Sequence, residues 1–275
     1  MYCGRNQFAS RIVNLLIDIG NSRIKWCLYN SVENEFGLDG AMLNDKLELP
    51  ALFSEHWNHL DSPDRVVVSN VSGQQLAEIL DSWVEQAWQI KTEYVKTEAF
   101  GFGVSNAYSD YPGLGVDRWM VIIAAWQRFR EQEKAICVVD CGTATTIDGI
   151  SAAGQHLGGF IIPGYTTMQE MLLNSTSDIE LARKILPKES LQGKALPSIN
   201  FSSSTEEGVN SGCYLATISI IDRVVTSMQE DYGNKVNCII TGGNAELVVE
   251  QLAGRFEYES GLVLHGLAMV SEKTQ

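Results

Sequence analysis

The sequence lacks the features that mark membrane proteins, metal centres and nucleic-acid binders. No stretch of its 275 residues approaches the ~18 uninterrupted apolar positions that a membrane helix requires. The early apolar run from Ile12 to Ile17 is broken by Asn14 and has no small-residue cleavage site after it. It reads as a buried strand rather than a signal peptide, and the chain is expected in the cytoplasm. Basic residues are scarce: 20 Lys and Arg stand against 34 Asp and Glu, a formal net charge of -14. The summed field repels polyanions and disfavours non-specific nucleic-acid binding. The four histidines show no zinc-ligand spacing, and the six cysteines (Cys3, Cys27, Cys137, Cys141, Cys213, Cys238) form no Cys-x-x-Cys pair. Buried free thiols are the expected outcome. What remains is a globular composition, 45% hydrophobic and 20% charged, in a chain long enough for two domains with a core each.

Two segments read as one device used twice. Leu15 to Ser22 is an apolar run ending in Asp18-Ile19-Gly20-Asn21-Ser22, followed by a strand-like Arg23 to Tyr29; Cys137 to Ala144 repeats the layout through Asp140-Cys141-Gly142-Thr143, followed by Thr145 to Ile150. Each predicts a strand, a tight glycine turn and a returning strand. The aspartates lie 122 positions apart, from residue 18 to residue 140, about one domain length. An internal duplication of one α/β domain follows, with a boundary near Gly113 to Val116 and halves of 1–115 and 116–275. The other elements fit two halves. Arg65 to Ser69 reads as a buried strand, and Gln74 to Trp88 as an amphipathic helix presenting Leu76, Ile79, Leu80, Trp83 and Ala87. Asp117 begins a helix with Trp119, Ile122, Ile123 and Trp126 on one stripe. A strand at Leu157 to Ile162, a long helix from Thr205 to about Met228, a buried strand at Val236 to Ile240 and a helix from Ala245 complete the set. Ser175 to Ser204 reads as a mobile or irregular connection.

A triphosphate needs donors that approach closely, and a glycine turn between strands supplies them. Gly20 and Gly142 fit. An aspartate just before each turn, Asp18 or Asp140, can hold a hydrated cation against phosphate oxygens. Asn21, Ser22, Thr143 and Thr145 add short donors, and Lys25 a cation or a surface pair. Asp-x-Gly-Asn is also an ordinary hairpin turn, a reading weakened by its recurrence at domain spacing. Gly115-Val116-Asp117-Arg118 sets an acid and a base at a helix start. There a carboxylate satisfies free N–H groups; it can also accept a hydroxyl proton in phosphoryl transfer. Thr241-Gly242-Gly243-Asn244 after a strand is either a strand-to-helix turn or a place where a flat ring or ribose meets backbone. The stripe Met168, Met171, Leu172 reads as core or subunit contact.

Taken in order, Asp18 to Ser22, Gly115 to Arg118, Asp140 to Thr146, Gly158 to Gly164 and Thr241 to Gly243 resemble the motifs of type III pantothenate kinases, and the likeness runs from about Leu15 to the C-terminus. That family belongs to the superfamily of actin, sugar kinases and heat-shock chaperone ATPases. The resemblance implies two duplicated ribonuclease-H-like domains, an actin-like ATPase fold with an interdomain cleft. It also implies ATP-dependent phosphorylation of pantothenate to 4'-phosphopantothenate, the first step of coenzyme A biosynthesis. Carried over by position, Asp18, Ile19, Gly20, Asn21, Ser22, Arg23, Ile24 and Lys25 would surround the ATP phosphates, with Mg²⁺ near Asp18, directly or through water. Thr143 would also contact nucleotide. Asp117 would be the general base, and Tyr108, Gly115, Val116, Asp117, Arg118 and Thr205 the pantothenate pocket. Asp140 would bind a monovalent cation, K⁺ or NH₄⁺. The implied assembly is a homodimer, with the Thr205 and Asp117 helices near its interface.

The chain departs from the family pattern in a few places. Ser22 stands for the usual threonine and keeps the hydroxyl; Ser204 replaces an asparagine beside the retained Thr205, and Gly208 an alanine. The chain also starts about a dozen residues earlier than typical members, which reads as an alternative start or a disordered arm. Two other readings compete. One is a non-catalytic regulatory or accessory protein of the same fold, against which Asp18, Asp117, Arg118 and Asp140 all argue by being present. The other is a kinase or phosphatase acting on a different small hydroxylated metabolite, since selectivity rests on pocket shape.

Overall fold

β1 (Val13–Ile19) is apolar at nearly every position, as a strand covered on both faces must be, and Leu15, Leu16, Ile17 and Ile19 are fully buried. In the computed structural model, which describes residues 12–175, 200–233 and 235–273, β1 turns through Gly20 into antiparallel β2 (Arg23–Asn30). β3 (Glu35–Leu43) pairs antiparallel with β2. A helical crossover, α1 (Leu49–Trp57), then brings β4 (Arg65–Asn70) parallel to the other side of β1. α2 (Gln74–Trp88) does the same for β5 (Thr92–Tyr94), which lies parallel to β4. The sheet order is β3-β2-β1-β4-β5. Within α1 Phe53 stacks on Trp57 at 4.7 Å, and the two helices lock where Trp83 of α2 meets Trp57 of α1 edge-on at 5.4 Å. α2 has the expected bounds but a slightly rotated face. Ala77 and Val84 are buried where Ala87 was expected and is exposed, because the sheet covers the 76-80-84 row.

The short hairpin β6 (Phe100–Gly101) and β7 (Val104–Ser105) precedes α3 (Val116–Phe129). α3 was expected to bury one stripe; instead every residue from Arg118 to Trp126 is buried, including Met120, Val121 and Ala125. The second sheet follows. β8 (Ala135–Cys141), β9 (Ala144–Ile150) and β10 (His156–Pro163) run antiparallel in succession. After α4 (Tyr165–Ser175) and α5 (Thr205–Tyr232), β11 (Val236–Thr241) joins β8 in parallel; α6 (Ala245–Val249) leads to β12 (Phe256–Tyr258), parallel to β11. The order β10-β9-β8-β11-β12 repeats the first sheet strand for strand, with antiparallel and parallel junctions in the same places. This is the duplicated ribonuclease-H-like fold. The expected connection at Ser175 to Ser204 lies, from 176 to 199, outside the described residues, as does the arm before Ile12.

α5 begins where Ser204 accepts the Glu207 N–H at 3.2 Å and stops at Gly233, whose φ of 63° ends the helix. Its face of Cys213, Tyr214, Ile218, Ile221 and Val225 packs on the second sheet's core. The last helix, α7 (Leu262–Glu272), lies on β1, β2 and β4. Gly266 sits so close to the Met120 carbonyl that a methyl group there would collide with it. By proximity the chain forms two compact units. One holds residues up to Ala99, Asp110–Ala124 and those from Gly261 onward; the other holds Phe100–Ser109 and Ala125–Ser260. The two units are made of segments that alternate along the sequence. Among the described residues no helix is long and apolar enough to cross a membrane.

Candidate functional site

In the first unit the turn between β1 and β2 is closed by the Gly20 N–H donating to the Arg23 carbonyl at 3.0 Å. Its outward face is held from two sides. Asn44, just past β3, donates Nδ2 to the Gly20 carbonyl at 2.8 Å, and Ser72, just past β4, donates its hydroxyl to the same oxygen at 2.8 Å. The two braces are themselves joined, Asn44 Nδ2 to Ser72 Oγ at 3.1 Å, and Asn44 N–H fixes the Ser22 carbonyl at 3.1 Å. A carbonyl occupied by two donors cannot turn toward an incoming phosphate, so the turn offers its N–H side and the short side chains of Asn21 and Ser22. Asn21, Ser22 and Arg23 are exposed, Lys25 is half-buried, Ile24 and Ile19 are core, and the Asp18 carboxylate is mostly buried at the strand end.

The second unit builds the same hairpin with different braces. The Gly142 N–H donates to Ala144 O at 3.0 Å. From beyond β10, the Gly164 N–H and the Thr167 hydroxyl both donate to the Thr143 carbonyl, at 2.9 and 2.7 Å. From beyond β11, the Asn244 N–H donates to the Cys141 carbonyl at 3.0 Å. Gly242, at φ 101°, lies against Asp140: a Cβ there would stand 2.5 Å from Asp140 Oδ1. The Thr241 to Asn244 turn therefore uses Gly242 to admit Asp140, while Gly243 faces open space. Burial pushes the neighbouring Cys141 thiol up to about 12, with Asp140 adding to the shift. Thr143 is exposed and Asp140 half-buried.

Asp117 stands in the first turn of α3. The Trp119 N–H bonds the Gly115 carbonyl at 3.0 Å, making Gly115 the residue before the helix, and Asp117 Oδ1 accepts the Arg118 N–H at 2.7 Å. This bond is the kind an acid at a helix start makes, and the helix dipole favours its charge. Gly115 makes room for it, since a Cβ at 115 would lie 2.6 Å from Oδ1. The preceding turn is anchored by the Thr97 hydroxyl on the Leu114 carbonyl at 2.8 Å, with both groups buried. Val116 is half-buried and Arg118 buried. In the second unit Tyr108 is half-buried, its N–H bonded to Asn106 Oδ1 at 3.0 Å, and Thr205 is exposed at the head of α5.

The hairpin residues and the Gly115 to Arg118 turn stand where strand ends and a helix start place them. Sequence reading missed Asn44, Ser72 and Thr167, which carry no motif of their own; once the duplication is recognised, the ends of the third and fourth strands of each repeat are where braces belong. Among the described residues no group of three or more His, Cys, Asp or Glu is placed to hold a metal by protein ligands alone. Met171 and Leu172 are exposed, whereas Met168 packs on the core.

Comparison with known proteins bears on the family and the fold. Residues 14–227 match the family model of type III pantothenate kinase. A type III pantothenate kinase of Nitrosococcus oceani is 37% identical over 262 residues, covering 94% of each chain. That of Nitrosospira multiformis is 32% identical over 260 residues, covering 94% of this chain and 91% of its own. Among solved structures, ethanolamine utilization protein EutJ from Carboxydothermus hydrogenoformans superposes with a TM-score of 0.52 at 15% identity, covering 96% of this chain and 90% of that one. A Campylobacter jejuni structure described as a Baf family transcriptional activator gives 0.51 at 20% identity, over 93% and 96%. These two speak to the fold alone. The family match spans most of the sequence, and the curated relatives align over nearly their whole length: the chain belongs to the type III pantothenate kinase family.

Proposed function

We infer that the protein phosphorylates pantothenate with ATP, giving 4'-phosphopantothenate and ADP at the entry to coenzyme A biosynthesis, and that Asp117 is its general base. The observation that carries the reading is the Asp117 carboxylate, seated at the head of α3 in a space kept open by Gly115. In the reaction, the primary hydroxyl oxygen of pantothenate attacks the γ-phosphorus in line as the bond to the β-phosphate oxygen breaks. Asp117 takes the hydroxyl proton, and ADP leaves with the bonding pair. The rest of the catalysis is positioning and charge stabilisation.

Asp18 through Lys25 take the ATP phosphates and Thr143 contacts the nucleotide. Tyr108, Gly115, Val116, Arg118 and Thr205 form the acceptor pocket. Asp18 would hold Mg²⁺, and Asp140, whose oxygen donors and glycine-lined surroundings suit a hard ion, would hold a monovalent cation, K⁺ or NH₄⁺. When bound, the cations offset phosphate charge that an acidic protein would otherwise repel. The active form is a homodimer. Its support is the exposure of apolar Phe160, Ile161, Met171, Leu172 and Leu215 in the second unit. The five cysteines among the described residues are buried free thiols, which suits a reducing cytoplasm.

The decisive experiment compares the wild type with Asp117→Asn in an ADP-release assay on pantothenate, sugars and acetate, with and without potassium. The variant should lose about 10²-fold or more in turnover while binding ATP normally. Near-wild-type turnover would remove Asp117 from its role, and preference for a sugar or acetate would remove pantothenate.

A further inference from the structure

The segment that carries Tyr108 is fastened to the second unit at several points, and the last is a buried histidine. The Ser105 N–H donates to the Gly154 carbonyl at 2.9 Å, and Gln155 Nε2 donates to the Ser105 carbonyl at 3.3 Å. Gly103 lies against the Trp126 indole, where an added Cβ would stand 2.9 Å from Nε1. Then the Ala107 N–H donates to His156 Nδ1 at 3.4 Å, and the next residue, Tyr108, lays its ring nearly parallel to the imidazole, at 6.1 Å between centroids and 18° between planes.

His156 is 1% exposed, and its other nitrogen, Nε2, lies 3.0 Å from Oδ1 of the equally buried Asp148. Because Nδ1 accepts the Ala107 N–H, the ring proton resides on Nε2 and is donated to Asp148, so the carboxylate fixes both the tautomer and the ring plane. The strand is shaped for this. A register shift between His156 and Gly158 turns His156 inward while Leu157 points out, and bulges of this kind re-aim side chains beside active sites. His156 then pairs with Ile150, and Asp148 sits diagonally on the same face of β9. A buried acid and histidine cost desolvation that an apolar pair would not. Neither takes part in the chemistry assigned above.

We propose that His156, held by Asp148, is a positioning residue for pantothenate binding: it sets the place and ring plane of Tyr108. The inference rests on Tyr108 belonging to the acceptor pocket. It predicts that damage at His156 appears in the KM for pantothenate, whereas a merely structural role would lower turnover and raise both KM values together.

The test measures kcat and both KM values for the full-length wild type, Tyr108→Ala, His156→Phe, His156→Asn, Asp148→Asn and the double variant Tyr108→Ala/His156→Phe. Phe keeps a ring and loses both nitrogens; it should raise the pantothenate KM about tenfold, with kcat and ATP KM within about twofold. Asn keeps an acceptor where Nδ1 stands and should recover part of that loss. Asp148→Asn, which keeps the volume and frees the tautomer, should shift the pantothenate KM several-fold in the same direction, and it tests the idea if His156→Phe does not fold. In the Tyr108→Ala background, His156→Phe should add nothing. If Tyr108→Ala raises the pantothenate KM and neither His156 nor Asp148 variants do, the inference falls and the pocket stands. If Tyr108→Ala leaves that KM unchanged, the pocket reading falls and takes the inference with it.

Discussion

Gly242 and Asp140 share a space that admits no methyl group: a Cβ on residue 242 would meet Asp140 Oδ1 at 2.5 Å and the Cys141 backbone nitrogen at 2.6 Å. The position also holds a φ of 101°, where L side chains are strained. Gly242→Ala is therefore expected to cost about 1–3 kcal/mol of stability and to push the Asp140 carboxylate out of place. Urea denaturation alongside the potassium dependence of ADP release checks this. A wild-type midpoint with unchanged potassium response would contradict it.

Gly115 has the same relation to Asp117 without backbone strain. A methyl at 115 need only displace one carboxylate, and a displacement near 1 Å at a reacting group costs about 10²-fold in rate. Gly115→Ala should thus fold normally, bind ATP normally and turn over far more slowly than wild type. Thermal melting, nucleotide titration and steady-state rates together decide; full turnover in the folded variant would show that the carboxylate's exact seat does not matter.

The braces on the Gly20 carbonyl predict a separation of substrates. Losing Asn44 or Ser72 leaves that oxygen one donor, and losing both frees the turn to swing. Asn44→Ala and Ser72→Ala should each raise the KM for ATP several-fold, and the pair together by about tenfold or more, since one hydrogen bond is worth ~1 kcal/mol. The pantothenate KM should stay put. An equal rise in both would point to general loosening instead.

Alkaline pH should weaken the fold through its buried thiols. Burial, then Asp39, pushes Cys27 up from 9.0 to about 12, and burial, then Asp140, does the same for Cys141. Below pH 9.0 both states keep these protons and the contribution is whole; above it the unfolded chain ionises first, so stability falls as pH rises toward about 12. Near pH 10.5 the loss is on the order of 1–2 kcal/mol per thiol. Burial raises Tyr29 and Tyr94 as well, with the same sign. The thiol share is read as the difference in pH slope between wild type and Cys27→Ala/Cys141→Ala. Identical slopes would rule it out.

The elements were legible wherever burial imposes a period on neighbouring residues. β1 and β8 announced themselves as apolar runs, and the glycine after each aspartate marked the turn, because a hairpin is a local object. What escaped was set by pairing between distant strands. Asn44 and Ser72 are 28 positions apart and meet only because β3 and β4 end beside the same turn. Ala87 fell on the predicted stripe of α2 yet is exposed, since the packing helix and sheet, not the stripe alone, fix which row is covered. His156 depends on a strand irregularity that residue types do not advertise. At Asp117 the sequence offered both capping and catalysis; the structure displays the capping bond, and only kinetics addresses the other.

The contact of Gly266 with Met120, and the seat of α7 on β1 and β4, carry a consequence for synthesis. The first sheet leaves the ribosome early, but the helix that covers it is translated only after every strand of the second sheet. While the nascent chain grows, the apolar back of that sheet has no lid, whereas the stretch from Ala125 to Ser260 already contains every strand of its own sheet. Domains usually finish in the order they are made. Here the half that starts first must finish second, and a stalled product lacking Leu262–Glu272 would present bare sheet to the cell's chaperones.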